Sequence, residues 1–370
     1  MSEGVKITLK VVTNNGIINT MEIQAIDLFC GAGGLTYGLR QADITVKLGV
    51  DVDSYCKYPY EKNNRAECLI QDIGQISSKK LAARFSQKAD YRLIAGCAPC
   101  QTFSTYNQKA GKDDSRWWLL REFIRSVRDI QPELVTMENV PGLAEHDVFD
   151  EFKSFLESEG YFYDVKVLKC VEYGIPQQRE RLVLIASKLG EISILPPTWF
   201  RKKSSSVQEA IGTLPRLKAG QTHPADPLHQ TAELSELNLQ RIKASVPGGT
   251  WRDWPEDLRA VCHRKKTGKT YPAVYGRMKW DEPSPTITTQ FFGFGNGRFG
   301  HPVQNRAISL REGAILQSFP ENYIFTKPGD PIHKTVLARL IGNAVPVRLG
   351  YVIGKSFVHH IRTIQKEVKV

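Results

Sequence analysis

The sequence predicts an α/β protein that combines a doubly wound, mostly parallel sheet with a smaller, loop-rich domain. Apolar runs of strand length alternate with helical segments from about residue 22 to residue 188, which is the pattern of a parallel sheet covered by helices. A glycine-rich turn joins the first strand to the first helix. After Ser187 the alternation stops, and proline, glycine and polar residues become frequent.

The predicted elements follow one another along the first half of the chain. The first strand runs from Ile23 to Phe29, and the helix after the glycine turn begins near Leu35. Further strands are predicted at "ITVKLGVDVD", "YRLIAGC", "PELVTMENV" and "RLVLIAS". Helices are predicted at "WWLLREFIRSVRDI", whose apolar residues recur three and four apart, and at "EFKSFLESEG". We expect ligands at the carboxyl ends of the strands.

The chain of 370 residues divides into four predicted parts. Residues 1–21 form an N-terminal extension, 22–189 the sheet domain, 190–328 the loop-rich domain, and 329–370 a C-terminal segment. The last segment contains an apolar helix, which predicts that it returns to the core of the sheet domain.

Charge and hydropathy limit the classes of function. The formal net charge of +11 suits a polyanionic partner, because clustered lysines and arginines displace counterions from phosphates. No stretch approaches the roughly 18 uninterrupted apolar residues of a membrane span, and the N-terminus has no apolar signal core. We therefore expect a cytoplasmic protein without a membrane span.

The glycine turn "DLFCGAGGLTYGL" suits close approach of the backbone to a ligand. A dinucleotide fingerprint that starts at Gly31 requires glycine at position 36, where this chain has Thr36, so a nicotinamide or flavin site is not well supported. Asp51 lies twenty residues beyond Gly31, at the end of the second strand, where a carboxylate can accept hydrogen bonds from a ribose. The pattern indicates an adenosine site, with a purely structural turn as the alternative.

Two cysteines stand three apart in "GCAPCQTFS". A redox dithiol belongs at a helix start, and a structural zinc site needs a second pair of similar spacing, which this chain of seven scattered cysteines lacks. We expect neither a disulfide framework nor a metal site. Pro99 and Gln101 on either side of Cys100 suggest a rigid loop that holds one thiol at the edge of the sheet, and a single nucleophile fits best.

Six segments resemble one enzyme family in the order that the family has them. They are "DLFCGAGGL", "APCQTFS", "MENVPGL", "GIPQQRERL", "SLREGAILQSFP" and "LIGNAVP", and the family is the DNA cytosine-5 methyltransferases. The resemblance implies the class I methyltransferase fold, which is Rossmann-like, with residues 190–328 as the target recognition domain. It covers about residues 25 to 350 and leaves much of 190–280 unmatched.

The resemblance also implies a mechanism. The Cys100 thiolate adds to carbon 6 of a cytosine that is flipped out of double-stranded DNA, and Glu138 stabilises the charge that builds toward N3. Arg179 and Arg181 are implied at the base and the neighbouring phosphates. Cys97 stands where the family usually has glycine or another small residue, so we expect it to be packed rather than reactive.

Cofactor and DNA contacts follow from the same resemblance. The implied cofactor is S-adenosylmethionine, with Asp51 at the ribose, Val52 over a face of the adenine and Asp72 at the adenine amino group. The complete predicted cofactor set is Phe29, Gly31, Gly33, Leu35, Asp51, Val52, Asp72 and Asn343. Basic and polar residues of the loop after Cys100 and of the segments "HRKKTGKTYPAVYGRMKW" and "FFGFGNGRFGH" are candidates for DNA contacts, with a solvated loop as the alternative. The predicted DNA contacts are Gln101, Ser104, Tyr106, Lys265, Lys266, Lys269, Arg277 and Arg298.

Two other functions compete with this interpretation. An RNA cytosine-5 methyltransferase of the same fold would lack so extended a recognition module, and a noncatalytic DNA-binding regulator would have lost the nucleophile or the glutamate. We expect a monomer that is associated with the nucleoid through DNA, with a cognate restriction endonuclease or a defence system as candidate partners.

Overall fold

The computed structural model describes residues 21–99, 117–200, 206–265 and 271–367. The main sheet contains seven strands, of which five had been predicted from apolar runs. The strands of this sheet are β1 (Ile23–Leu28), β2 (Thr45–Asp51), β3 (Glu67–Ile70), β4 (Tyr91–Gly96), β5 (Leu134–Asn139), β6 (Phe162–Lys169) and β8 (Glu180–Ser187). Two short pairs lie outside it, and their strands are β7 (Gln177–Gln178), β9 (Thr222–His223), β10 (Asp226–Gln230) and β11 (Ser284–Pro285).

The sheet has the order β3-β2-β1-β4-β5-β8-β6. The first five strands in the chain pair in parallel, whereas β8 is antiparallel to both β5 and β6. Strand order reverses between β1 and β4, so the carboxyl ends of these two strands flank the crevice in which doubly wound sheets bind ligands. The prediction of a doubly wound, mostly parallel sheet is confirmed.

Helices cover both faces of this sheet. Within the described ranges the α-helices are α1 (Gly34–Gln41), α2 (Lys57–Asn64), α3 (Ser78–Ala82), α4 (Trp118–Ile130), α5 (Asp147–Ser158), α6 (Val207–Ile211), α7 (Glu236–Ala244), α8 (Val261–Arg264), α9 (Leu310–Leu316), α10 (Lys334–Asn343) and α11 (Val347–Glu367). The apolar stripe predicted for α4 is buried with α5 against one face of the sheet, where Phe123 and Phe152 pack edge to face at 5.8 Å. Helices α1 and α11 contribute to the core on the other face.

Two glycines let α1 and α11 touch along their backbones. A Cβ atom on Gly38 would lie 2.3 Å from the carbonyl oxygen of Val347, and one on Gly350 would lie 2.7 Å from that of Leu35. A side chain at either position would push the two helices apart. The C-terminal segment therefore packs on the first helix of the sheet domain, while the exact limits of the four predicted parts stay a prediction.

The segment Lys334–Glu367 is long and apolar enough to cross a membrane by composition alone, but 72% of its most apolar window is buried inside the protein. Its apolar residues belong to two hydrophobic cores: Leu337 and Ile341 pack with the loop-rich region, and Leu349 and Ile353 pack with the sheet. The apolar character of this segment is therefore accounted for by burial in the fold.

The described parts of residues 190–328 form short helices, short strands and long connections. A buried ion pair lies at the centre of this region, where the Arg306 guanidinium donates two hydrogen bonds of 2.7 Å to the Glu312 carboxylate. Glu312 also accepts a 2.6 Å hydrogen bond from the backbone N–H of Ser309 and so completes the capping box of α9. The pair holds the connection before α9 against the helix.

Candidate active site

A cavity of about 1000 Å³ opens at the carboxyl ends of the parallel strands. Predicted site residues from distant parts of the sequence meet on its wall. Those that line it are Phe29, Gly31, Leu35, Asp51, Val52, Asp72, Glu138, Arg179, Arg181 and Asn343. Of the eight predicted cofactor residues, all of which the structure describes, Gly33 alone does not line the cavity.

The glycine turn between β1 and α1 has the conformation that its sequence predicts. Gly31 and Gly33 both have left-handed backbone angles, with φ of 53° and 90°. A Cβ atom on Gly33 would lie 2.2 Å from the side-chain nitrogen of Asn64, so this glycine allows the turn to pack closely on α2. Gly33 itself does not line the cavity, and its contact with the cofactor stays a prediction.

Two carboxylates mark one end of the cavity. Asp51 accepts backbone N–H bonds from Gly31 at 2.8 Å and from Asp53 at 2.9 Å, which ties the glycine turn to the end of β2. Asp72 accepts an N–H bond from Gly74 at 2.9 Å at the end of β3. A carboxylate has about four acceptor positions. Both groups can therefore hold their loops and still accept hydrogen bonds from a ligand.

Asp27 is a residue of the cavity that the sequence interpretation missed. It is 1% exposed near the end of β1 and lines the cavity; its Oδ2 accepts a 2.6 Å hydrogen bond from the Thr36 hydroxyl. Its Oδ1 is buried without a hydrogen-bond partner. Burial raises the pKa of Asp27 to about 7, against the opposing effect of the Thr36 hydrogen bond. The signal in the sequence was an acidic residue in the middle of a mostly apolar strand.

The raised pKa of Asp27 predicts a specific pH dependence of stability. Between about pH 4 and about pH 7 the native state keeps a proton that the unfolded chain has released, so the free energy of unfolding falls as pH rises, by up to about 1.4 kcal/mol per pH unit. Asp27→Asn should remove this contribution. Urea unfolding at pH 5, 6, 7 and 8 measures it, with Asp43→Asn, whose side chain is 57% exposed, as the control. Equal slopes in the wild type and Asp27→Asn would contradict the assignment.

Glu138 is held from two sides at the end of β5. The side chain is 2% exposed; its Oε2 accepts a hydrogen bond from the Cys97 thiol at 2.9 Å, and its Oε1 lies 2.9 Å from Nε of Arg181. Cys97 directly follows β4, and Arg181, the second arginine of "GIPQQRERL", lies near the start of β8. Three neighbouring strands thus position one carboxylate at the wall of the cavity.

Arg179 is buried behind this carboxylate. Its guanidinium donates to the carbonyl oxygens of Ile287 and Gly342, both at 3.0 Å, and so joins the junction of β7 and β8 to the loop-rich region and to α10. Burial and the charge of Arg181 lower the pKa of Arg179 to about 9. Arg179 lines the cavity, and its Nε atom is buried without a hydrogen-bond partner. Three of the five N–H groups of Arg179 are used by Gln177, Ile287 and Gly342, so at most two, that of Nε and one of Nη2, can be offered to a base.

The predicted nucleophile, Cys100, lies outside the described residues, as do Gln101, Ser104 and Tyr106. Described residues on both sides of that gap line the cavity, namely Ala98 and Pro99 before it and Trp117 after it. Within the described ranges, no group of three or more histidine, cysteine, aspartate or glutamate side chains is arranged to hold a metal ion.

The predicted DNA contacts have different environments. Lys265 is exposed, whereas Lys266 and Lys269 lie outside the described residues. Arg298 is half-buried and donates to the carbonyl oxygen of Gly249 at 2.6 Å.

Arg277 is 5% exposed, and this corrects its predicted role as a DNA contact. Its guanidinium donates to three backbone carbonyl groups, those of Ile242, His301 and Gln304, and to the Asn305 side chain. All of its donors are used inside the loop-rich region, so the residue is a structural cross-link.

Fold and cavity together define a class of protein: an α/β enzyme whose site lies at the switch point of a parallel sheet, beside a glycine turn and a carboxylate–arginine pair. The family model for C-5 cytosine-specific DNA methylases matches residues 23–359. The chain belongs to this family and is a DNA cytosine-5 methyltransferase, as the six motifs predict.

Relatives and solved structures agree with this assignment. The chain is 47% identical over 348 residues to the type II methylase M.HgiDII of Herpetosiphon aurantiacus, with 93% of this chain and 98% of the relative covered. It is 32% identical to the type II methyltransferase M.Eco47II of Escherichia coli, with 92% and 80% covered. A structure described as a DNA modification methyltransferase encoded within an E. coli prophage shares the fold, with a TM-score of 0.71, 22% identity, and 92% and 100% covered.

Proposed function

We propose that the protein transfers a methyl group from S-adenosylmethionine to carbon 5 of a cytosine flipped out of a specific duplex DNA sequence, through a covalent adduct on Cys100. One observation carries the proposal beyond the family: the buried Glu138 carboxylate, held between Cys97 and Arg181, lies on the wall of the same cavity as Asp51 and Asp72. One carboxyl group that could contact the cytosine and two that could contact the cofactor therefore line the same cavity.

The lining of the cavity fits S-adenosylmethionine. Asp51 and Asp72 have free acceptor positions for a ribose and an adenine amino group, and Asp27 presents an unpartnered buried oxygen to a ligand that carries positive charge. The cofactor supplies an electrophilic methyl group when it is bound. The glycine turn brings backbone close to it, and Asn343 approaches from the end of α10.

The residues of the chain then have distinct tasks at the cytosine. The Cys100 thiolate adds to carbon 6, because cysteine is strongly nucleophilic even when only a small fraction of the thiol is ionised. Glu138 holds or donates a proton at N3 as negative charge develops there, and Arg181 keeps the carboxyl group oriented. Once carbon 5 carries the methyl group, with S-adenosylhomocysteine as the other product, loss of the carbon 5 proton to water and expulsion of the Cys100 thiolate would restore the aromatic ring.

DNA rather than RNA is the proposed substrate because of residues 190–328. Flipping a base out of a duplex costs a few kcal/mol, which contacts to the surrounding DNA must offset. The basic, aromatic-containing segment around Lys265 and the half-buried Arg298 belong to this region. A monomeric state, a cytoplasmic location and a cognate restriction endonuclease stay predictions.

Trapping on a modified base tests the proposed reaction. Bisulfite sequencing of DNA from cells that express the protein first identifies the methylated sequence. A duplex with 5-fluorocytosine at that position should then form a denaturant-resistant complex with the protein and S-adenosylmethionine, because fluorine cannot leave as a proton does. Peptide mapping should place the adduct on Cys100. An adduct on Cys97, or methylation of RNA in place of DNA, would contradict the proposal.

The basic segment predicts the salt dependence of DNA binding. Replacing Lys265, Lys266 and Lys269 together with alanine should flatten the plot of log affinity against log salt by about 0.9 for each phosphate contact that is lost. Cofactor affinity should stay the same. The control replaces three exposed lysines outside the recognition region, Lys88, Lys169 and Lys366. An unchanged slope in the first triple variant would make that segment a solvated loop.

A further inference from the structure

The side chain that follows Asp51 offers little surface to an adenine ring. The family resemblance implies that residue 52 covers one adenine face, and here it is valine, 72% exposed at the rim of the cavity. A valine side chain is small and aliphatic, so it cannot stack as an aromatic ring does. Phe29 is one aromatic side chain on the wall of the cavity, and a second flat surface near Asp72 would cover the side of an adenine that Val52 leaves open.

Trp118 provides such a surface. It is the first residue of α4, is 43% exposed, and lines the cavity together with Val52 and Asp72. A Cβ atom built on Gly74 would lie 3.3 Å from Cζ3 of the Trp118 ring and 3.4 Å from Oδ1 of Asp72. The indole thus rests on the same short turn that presents the Asp72 carboxylate.

The packing of α4 does not account for the position of this ring. The buried stripe of the helix includes Leu120 and Phe123, and the flanking Trp117 and Leu119 pack against the same hydrophobic core. Trp118 instead remains at the cavity, where a large exposed aromatic surface has no benefit for folding. Bases stack favourably on aromatic side chains, so a ligand with a purine ring would bury the exposed surface of Trp118.

We propose that Trp118 provides an aromatic face for the adenine of S-adenosylmethionine, on the side that the small side chain of Val52 leaves largely uncovered. The inference rests on the proposed function, because it assigns a further binding residue to the same cofactor site. The Asp72 carboxylate takes the edge of the adenine and Trp118 takes one face. Gly74 permits this arrangement by leaving room for the ring on the turn.

Calorimetry with S-adenosylhomocysteine tests the assignment without depending on methyl transfer. Trp118→Leu should weaken binding about ten-fold or more, whereas Trp118→Phe should keep most of the affinity. Trp199→Leu removes a tryptophan that is 57% exposed outside the cavity, and it should bind like the wild type. Adding Val52→Phe to Trp118→Leu should restore part of the affinity, a rescue that a folding defect would not show.

Fluorescence provides a second measurement on the same proteins. Binding of S-adenosylhomocysteine should quench the tryptophan emission of the wild type and of Trp199→Leu, and the quench should be clearly smaller in Trp118→Phe, where of the two cavity tryptophans Trp117 alone remains. If the wild type binds the ligand and Trp118→Leu binds equally well, Trp118 is not the adenine surface while the proposed function stands. If the wild type binds neither S-adenosylhomocysteine nor S-adenosylmethionine, the proposed function itself fails.

Discussion

A Cys100→Ala protein is expected to lose DNA methylation by a factor on the order of 10⁴ or more, while a Cys97→Ala protein keeps most of its activity. The reaction depends on addition of a thiolate to carbon 6, and no other group is proposed to form that bond. Cys97 instead donates a hydrogen bond to Oε2 of Glu138 at 2.9 Å. A thiol is a weak donor, and the ion pair of Arg181 with Oε1, 2.9 Å in this structure, does not involve the Cys97 side chain.

Transfer of a labelled methyl group to the identified DNA sequence, in single-turnover experiments, measures both variants. Binding of S-adenosylhomocysteine should be retained in both, which separates loss of the nucleophile from loss of the fold. Cys97→Ser is the conservative control, because a hydroxyl can also donate to Glu138. Equal loss in the Cys97 and Cys100 variants would mean that the two thiols act as a pair, and the assignment of a single nucleophile would be wrong.

Glu312→Ala is expected to destabilise the protein by about 3–5 kcal/mol, because it leaves a buried guanidinium without a counter-charge. Arg306 is fully buried and Glu312 is 1% exposed. Burial alone would raise the pKa of Glu312, but the hydrogen bonds and charge of Arg306 hold it below its usual value. The carboxylate is therefore ionised in the native state, and its contribution to stability is lost only as the pH falls into the acid range.

Urea unfolding at neutral pH measures the loss, with Glu282→Ala as the matched control. Glu282 pairs with Lys279 at 2.5 Å in the same region of the chain, but both side chains are almost half exposed, so its removal should cost no more than about 1 kcal/mol. Glu312→Gln should cost nearly as much as Glu312→Ala, because an amide cannot replace the charge. Equal stability of the Glu312 and Glu282 variants would contradict the role of the buried pair.

The sequence predicts the centre of this sheet better than its edges. Strands β1, β4 and β5 are buried on both faces, so they appear as apolar runs. Strand β6 lies at the edge and alternates weakly, with Phe162 and Val167 about half exposed, and β3 has only four residues. Both were missed because neither buries enough side chains to leave a clear pattern.

In the site, too, one kind of feature is easier to predict from sequence than another: local motifs identify residues, but they do not show contacts between distant parts of the chain. Motifs identified Glu138 and Arg181, whose contact the structure provides, because each motif is local in sequence. Arg277 was misassigned for the opposite reason. Its acceptors include the carbonyl oxygens of Ile242 and His301, which lie 35 and 24 residues away in the sequence. The sequence around a basic residue does not show whether its side chain is exposed to solvent or donates to buried carbonyl groups.

The contact between α1 and α11 has a consequence for how the chain folds during synthesis. Gly38 meets Val347 at a separation of more than 300 residues, so the layer that supports the glycine turn cannot form until Val347 and the residues after it have left the ribosome. Contacts of such long sequence separation slow folding, and they leave the apolar face of α1 uncovered in the nascent chain. Chaperone dependence during expression should therefore be concentrated in the period before residues 347–361 emerge.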